Sequence, residues 1–135
     1  MAWRAHPDYR AEVCFETVTR ANLSGLDHAG RVFLGAAIQH RYKNRAPLEG
    51  GVYDLLNDEE RMAAEILGNG LRLGAMLSGA APGSLENTEL GLDRDTLRLT
   101  LRGPARDLRG EAVDRRLAAL AGRLGLESAV TLSAA

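Results

Sequence analysis

The stretch RVFLGAAIQHRYKN, residues 31–44, sets His40, Arg41, Tyr42 and Lys43 side by side, with Arg45 two residues beyond Lys43. An imidazole exchanges protons near neutrality, and guanidinium and ammonium groups grip phosphate or carboxylate oxygens. Proton transfer by His40 or anion contact by its basic neighbours is therefore the chemistry this run could do. At about 100° per residue on a helix, Arg41 and Arg45 share one side and continue the Leu34–Ile38 row, whereas His40, Lys43 and Asn44 lie round another. The run divides into two small faces. All of it falls in the last turn of an expected helix, where exposed carbonyls favour cations, so a basic helix end is the plainer reading beside a ligand site.

A second polar row is Glu65, Asn69 and Arg72, spaced i, i+4 and i+7. Such a row either satisfies itself as a seam along one helix or, if buried, faces a partner domain.

The remaining inventory excludes the familiar mechanisms. Histidines stand at 6, 28 and 40, with no HExxH pattern and no carboxylate spaced to complete a metal shell. Asp27-His28 reads as a capping aspartate followed by a solvent-facing histidine. No GxSxG, Walker A or GxGxxG segment occurs. The scattered glycines of GNGLRLG, residues 68–74, lie inside a helical pattern and signal packing, not a phosphate cradle. The acidic run Asp58-Glu59-Glu60 suits a helix dipole, and a solvated first turn does not raise a carboxyl pKa as paired-carboxylate catalysis requires. Without a nucleophile, a base or a metal set, catalysis drops out, and anion contact remains.

Composition narrows the partners. At 135 residues the chain matches one domain with its own core. Apolar residues make up 45% and charged residues 26%, an ordinary globular mixture, and a net charge of −1 gives no global attraction to nucleic acid or anionic membrane. Lys43 is the single lysine. Uniform arginine usage beside abundant alanine is also what a GC-rich genome produces, so arginine abundance alone assigns no ligand. Cys14 is the single cysteine, which excludes an internal disulfide and a cysteine-based zinc site; it sits in a helical row with Phe15 and Val18 as a buried thiol. No signal peptide and no run of about 20 apolar residues is present, so the cytoplasm is the expected location. The chain reaches Trp3 and a His6-Pro7-Asp8 helix start at once, which reads as a piece of a longer protein.

The elements that must position these residues follow from pattern. A helix is expected from Asp8 to about Leu23, broken by Ser24 and Gly25. A second runs from an Asp27 cap to about Arg45, with Phe33, Leu34, Ala37, Ile38 and Tyr42 recurring. After Pro47, Gly50 and Gly51, a short turn over Val52–Leu56 leads to Asn57, a good cap for a long helix to about Ser78. The apolar row of that helix is Met62, Ile66, Leu73 and Leu77, reinforced by Leu67 and Leu71. Gly68, Gly70 and Gly74 each cost about 1 kcal/mol relative to alanine in a helix, which suggests that another backbone packs close against them.

Beyond Ala81-Pro82-Gly83 the period changes to two. Leu90 and Leu92, then Leu97, Leu99 and Leu101, flank Asp93-Arg94-Asp95 as a hairpin. Glu111 to about Arg123 is an amphipathic helix with Val113, Leu117, Leu120 and Leu124 on one face, stopped by Gly125. Leu126–Leu132 alternates as a third strand. Helices first, then strand, strand, helix, strand, predict an α+β fold, mainly α. The expected division is residues 1–82 for the helical part and 83–135 for a small ββαβ part, packed together as one domain.

Taken together, WRAHPDYRAE at 3–12, LDHAGRVFLGAAIQHRYKN at 26–44, ILGNGLRLGAMLSGAAPGSLENTELGLDRDTLRLTL at 66–101 and DLRGEAVDRRLAALAGRLG at 107–125 resemble the C-terminal region of the exopolyphosphatase and guanosine-pentaphosphate phosphohydrolase family. Their order and spacing carry the resemblance over nearly the whole chain. It implies an HD-domain-like helical bundle followed by a small β-containing segment. Catalysis, magnesium and phosphate binding then belong to an N-terminal actin-like part that nothing in this chain matches, and no cofactor is assigned to the chain itself. The His, His-Asp and distal Asp that hold metal in true HD phosphohydrolases are missing, so no metal role follows.

The resemblance also implies a polyphosphate channel and a homodimer contact. Polyphosphate carries about one negative charge per unit, and a channel wall needs spaced cations with charge-assisted hydrogen bonds. His40, Arg41, Lys43, Arg45 and Arg72 are the residues of the resembling segments suited to that. The expected partners are the actin-like domain, polyphosphate and a second copy, with neither nucleic acid nor membrane. A different class of function is a structural or regulatory interaction module without ligand, using the Gly68-Gly70-Gly74 surface and the exposed hairpin edge.

Overall fold

The computed structural model describes residues 27–42, 51–79 and 83–134. The helix expected over residues 8–23, with Cys14, and the residues Lys43, Asn44 and Arg45 lie outside that set. The described chain is α+β and mainly α.

The first helix, α1, runs His28–Tyr42. Its start is set by Asp27, whose Oδ1 accepts the Gly30 amide at 2.7 Å while its carbonyl accepts the Arg31 amide at 3.0 Å. A 3-10 turn over Gly51–Leu55 then leads to α2, Asp58–Ser78. Asn57 and Glu60 close a reciprocal capping box at the head of α2: the Glu60 amide donates to Asn57 Oδ1 at 2.8 Å, and the Asn57 amide donates to Glu60 Oε1 at 3.2 Å. Arg61 then reaches back to the turn, donating to the carbonyls of Tyr53 at 2.9 Å and Leu56 at 3.2 Å and pairing with Asp54 at 3.6 Å.

Val32, Ala36, Ala37, Leu56 and Ala64 form the core here, with Phe33 and Tyr53 packed against it. Small residues dominate because two helix backbones meet. The buried positions of α2 are Ala64, Gly68, Asn69, Leu73 and Leu77, which bears out Leu73 and Leu77 of the apolar row expected from spacing and corrects the rest of it. Met62, Leu67 and Leu71 are exposed at 46%, 40% and 40%. Counting large apolar side chains favours Met62, Leu67 and Leu71, but a close helix approach selects Ala64 and Gly68 instead.

The chain divides into two compact units between Leu71 and Arg72, inside α2. The second unit holds a three-stranded sheet in the order β1-β2-β3: β1 is Thr88–Asp93, β2 Thr96–Arg102 and β3 Glu127–Ser133. β1 pairs antiparallel with β2 through a two-residue turn, in the register Asp93↔Thr96 and Leu90↔Leu99. Arg94 in that turn takes a left-handed φ of 56°. β2 pairs in parallel with β3, Leu97↔Ser128 through Arg102↔Ser133. Parallel neighbours need a crossover, here helix α3, Glu111–Arg123.

The alternation of β2 is read out directly. Leu97, Leu99 and Leu101 are buried with Val113, Leu117, Leu120 and Ala121 of α3, and Thr96, Arg98, Thr100 and Arg102 look the other way. α3 ends in a left-handed stop at Gly125, φ 70°, with the Leu126 amide donating to Ala121 O at 2.9 Å and the Gly125 amide to Gly122 O at 3.2 Å. Leu124, expected on the buried face, follows the last helical residue and is 42% exposed.

Candidate functional site

The basic end of α1 is built by the helix that Asp27 starts. No acidic residue lies in its first turn, and His40 and Arg41 occupy its last, where the helix dipole favours cations. Arg41 is half-buried, with its guanidinium carbon 4.3 Å from the centroid of the Tyr42 ring. Stacking of this kind is a cation–π contact between neighbouring side chains of the last turn.

His40 is placed differently. It is 2% exposed and packs against the Gly68 segment of α2. Its side chain is thus withdrawn from solvent where α2 passes the end of α1. One residue of helix rotation separates it from Arg41, and the two side chains accordingly diverge.

Lys43 and Arg45 lie outside the described residues. Arg72 is half-buried on α2 and belongs to the second compact unit, whereas Arg41 belongs to the first. In the polar row, Asn69 is 2% exposed and its amide donates to the Glu65 carbonyl at 2.8 Å. The row contains a buried, backbone-satisfied asparagine.

Glycine spacing is informative at one position only. A Cβ on Gly68 would lie 2.5 Å from Ala37 O and 3.1 Å from the Arg41 amide nitrogen, whereas at Gly70 and Gly74 it would meet nothing within 4 Å. The close backbone approach expected at all three glycines exists at the first.

Other cations are already engaged. Arg98 pairs with Asp93 at 3.3 Å and donates to Thr131 Oγ1 at 2.7 Å, and Arg102 pairs with Glu89. Strand alternation could have found both, since every second residue from Arg98 faces away from the leucines. Each carries its own carboxylate, so that sheet face presents little net field to an anion. The 3-10 turn is fixed by Tyr53, whose hydroxyl donates to Gln39 Oε1, a link that residue patterns do not signal. Among the described residues no group of three His, Cys, Asp or Glu side chains could hold a metal ion, and no helix is long and apolar enough to cross a membrane.

Comparison with known proteins agrees with the chain-wide pattern. A family model described as Exopolyphosphatase, C-terminal matches residues 1–130. A search of curated proteins finds no match.

Proposed function

The chain belongs to the exopolyphosphatase C-terminal family, and from that premise we propose that it serves as the accessory domain of a polyphosphate-hydrolysing enzyme. In this reading catalysis and magnesium reside in an N-terminal actin-like part of the parent protein. The accessory domain contributes polyanion contacts and a surface for homodimerisation. The parent reaction, in the cytoplasm, releases orthophosphate from a polyphosphate end or the 5′-terminal phosphate from guanosine pentaphosphate. The match over residues 1–130 carries the reading.

The contact groups proposed are Arg41, Lys43, Arg45 and Arg72, with His40 positioning the end of α1 from its buried site. Two observations support Arg41. It lies in the last turn of α1, and it stacks on Tyr42 with no carboxylate partner among the described residues, unlike Arg61, Arg98 and Arg102. A guanidinium of this kind offers bidentate, charge-assisted bonds to phosphoryl oxygens. Calorimetric titration of the purified chain with long-chain polyphosphate tests the role: salt-sensitive binding that Arg41→Ala and Arg72→Ala weaken is expected.

A second reading, an interaction module without ligand, is favoured by the sheet. Leu90 and Leu92 on β1 are 48% and 68% exposed although they pair with the buried Leu99 and Leu97. Their apolar surface on an edge strand suits a partner chain. A sedimentation experiment that finds only monomer at high concentration counts against self-association through that edge.

A further inference from the structure

The outer edge of β3 borders a cavity of about 240 Å³ lined by Arg109, Asp114, Leu117, Ser128, Ala129 and Val130. All six belong to the second compact unit. β3 is the last strand of the sheet order, so one of its sides has no strand neighbour among the described residues.

Which main-chain groups face that side follows from one hydrogen bond. The Glu127 amide donates to Asp95 O at 2.8 Å, toward the β2 side. Successive residues of a strand point their N–H and C=O groups to opposite sides. Glu127, Ala129 and Thr131 therefore serve the β2 ladder, and Ser128 and Val130 present theirs outward. The outward groups are about 6.6 Å apart, the two-residue repeat of an extended chain.

The cavity adds charge to this edge. Arg109 and Asp114 are exposed, line the same cavity, and carry no ion pair among the described residues. Leu117, 1% exposed, supplies an apolar floor. Open backbone donors and acceptors, an apolar floor, a cation and a carboxylate are together complementary to an extended peptide with one acidic and one basic side chain. A small anion would satisfy Arg109 but would leave the strand edge and Asp114 unmatched. We propose that the groove between α3 and β3 binds an extended peptide segment as a fourth strand, with an acidic side chain on Arg109 and a basic one at Asp114.

The test uses the full chain and the blocked peptide acetyl-Lys-Val-Thr-Val-Glu-amide. Amide NMR shifts are expected at Ser128 and Val130 and not in β1. N-methylating the peptide on one set of alternate amides is expected to abolish binding, and on the other set to spare it. Arg109→Gln is expected to weaken binding roughly tenfold, as loss of a charge-assisted hydrogen bond does, but to leave a peptide with Gln in place of Glu unaffected. Equal binding by both N-methylated peptides, shifts confined to other surfaces, or no binding at millimolar peptide overturns the proposal.

Discussion

Gly68 on α2 lies so close to His40 on α1 that a Cβ at position 68 would fall onto the His40 Cβ and within 2.5 Å of the Ala37 carbonyl. The glycine is what lets the helices touch backbone to backbone, and the contact buries His40 at the head of the basic run. Gly68→Ala gains helix propensity of about 1 kcal/mol, but the carbonyl it meets is fixed in α1 and cannot rotate away. Net destabilisation of about 1–3 kcal/mol is expected, as for other overpacked sites. Gly70→Ala and Gly74→Ala, whose Cβ atoms meet nothing within 4 Å, should stabilise by about 0.5–1 kcal/mol. Urea midpoints of the three variants make the comparison.

The two sides of the hairpin should respond unequally to truncation. Leu99 is 1% exposed and packs in the sheet–helix core, so Leu99→Ala should cost about 2–5 kcal/mol. Leu92, 68% exposed on the same face of β1, should cost no more than about 0.5 kcal/mol as alanine. Thermal denaturation of both variants checks the difference.

Asn57 should be replaceable only by another capping residue. Asn57→Ala removes the acceptor for the Glu60 amide and should lower stability by about 1 kcal/mol, while Asn57→Ser retains most of it. Circular dichroism melts of the two variants distinguish a cap from a neutral surface position.

Arg61 holds the 3-10 turn through three partners, and the fork geometry matters. Arg61→Ala should raise the exchange rate of the Leu56 amide, which bonds Tyr53 O at 3.0 Å inside that turn. Arg61→Lys should not restore protection, because an ammonium cannot span the carbonyls of Tyr53 and Leu56 together. Hydrogen exchange read at Leu56 is the measurement.

Much of this fold is legible in residue order because each element carries its own punctuation. Asp27, Asn57 and Gly125 mark helix ends where expected, and the leucine alternation of β2 fixes both its strand character and its buried face. The buried face of α2 was legible only in part. Spacing of large apolar residues points correctly to Leu73 and Leu77 but also to Met62, Leu67 and Leu71, which are exposed; Ala64 and Gly68 win in the first half of the helix because neighbouring backbone, not side-chain size, decides that contact. At the basic cluster, helical angle separates His40 from Arg41. Which of them is buried depends on the passing helix, and position 40 alone does not encode that. The cavity beside β3 was invisible for the same reason: Arg109 and Asp114 meet the Ser128–Val130 segment only through the crossover.

The proposal that this domain contacts polyphosphate rests most directly on binding by the purified chain. Titrating it with long-chain polyphosphate at about 50 mM and 200 mM salt should give an affinity that falls steeply with salt, as counterion release requires, and that Arg41→Ala with Arg72→Ala weakens while flattening the salt slope. No detectable binding at the lower salt, or binding that neither salt nor the paired substitution changes, would contradict the polyanion-contact role.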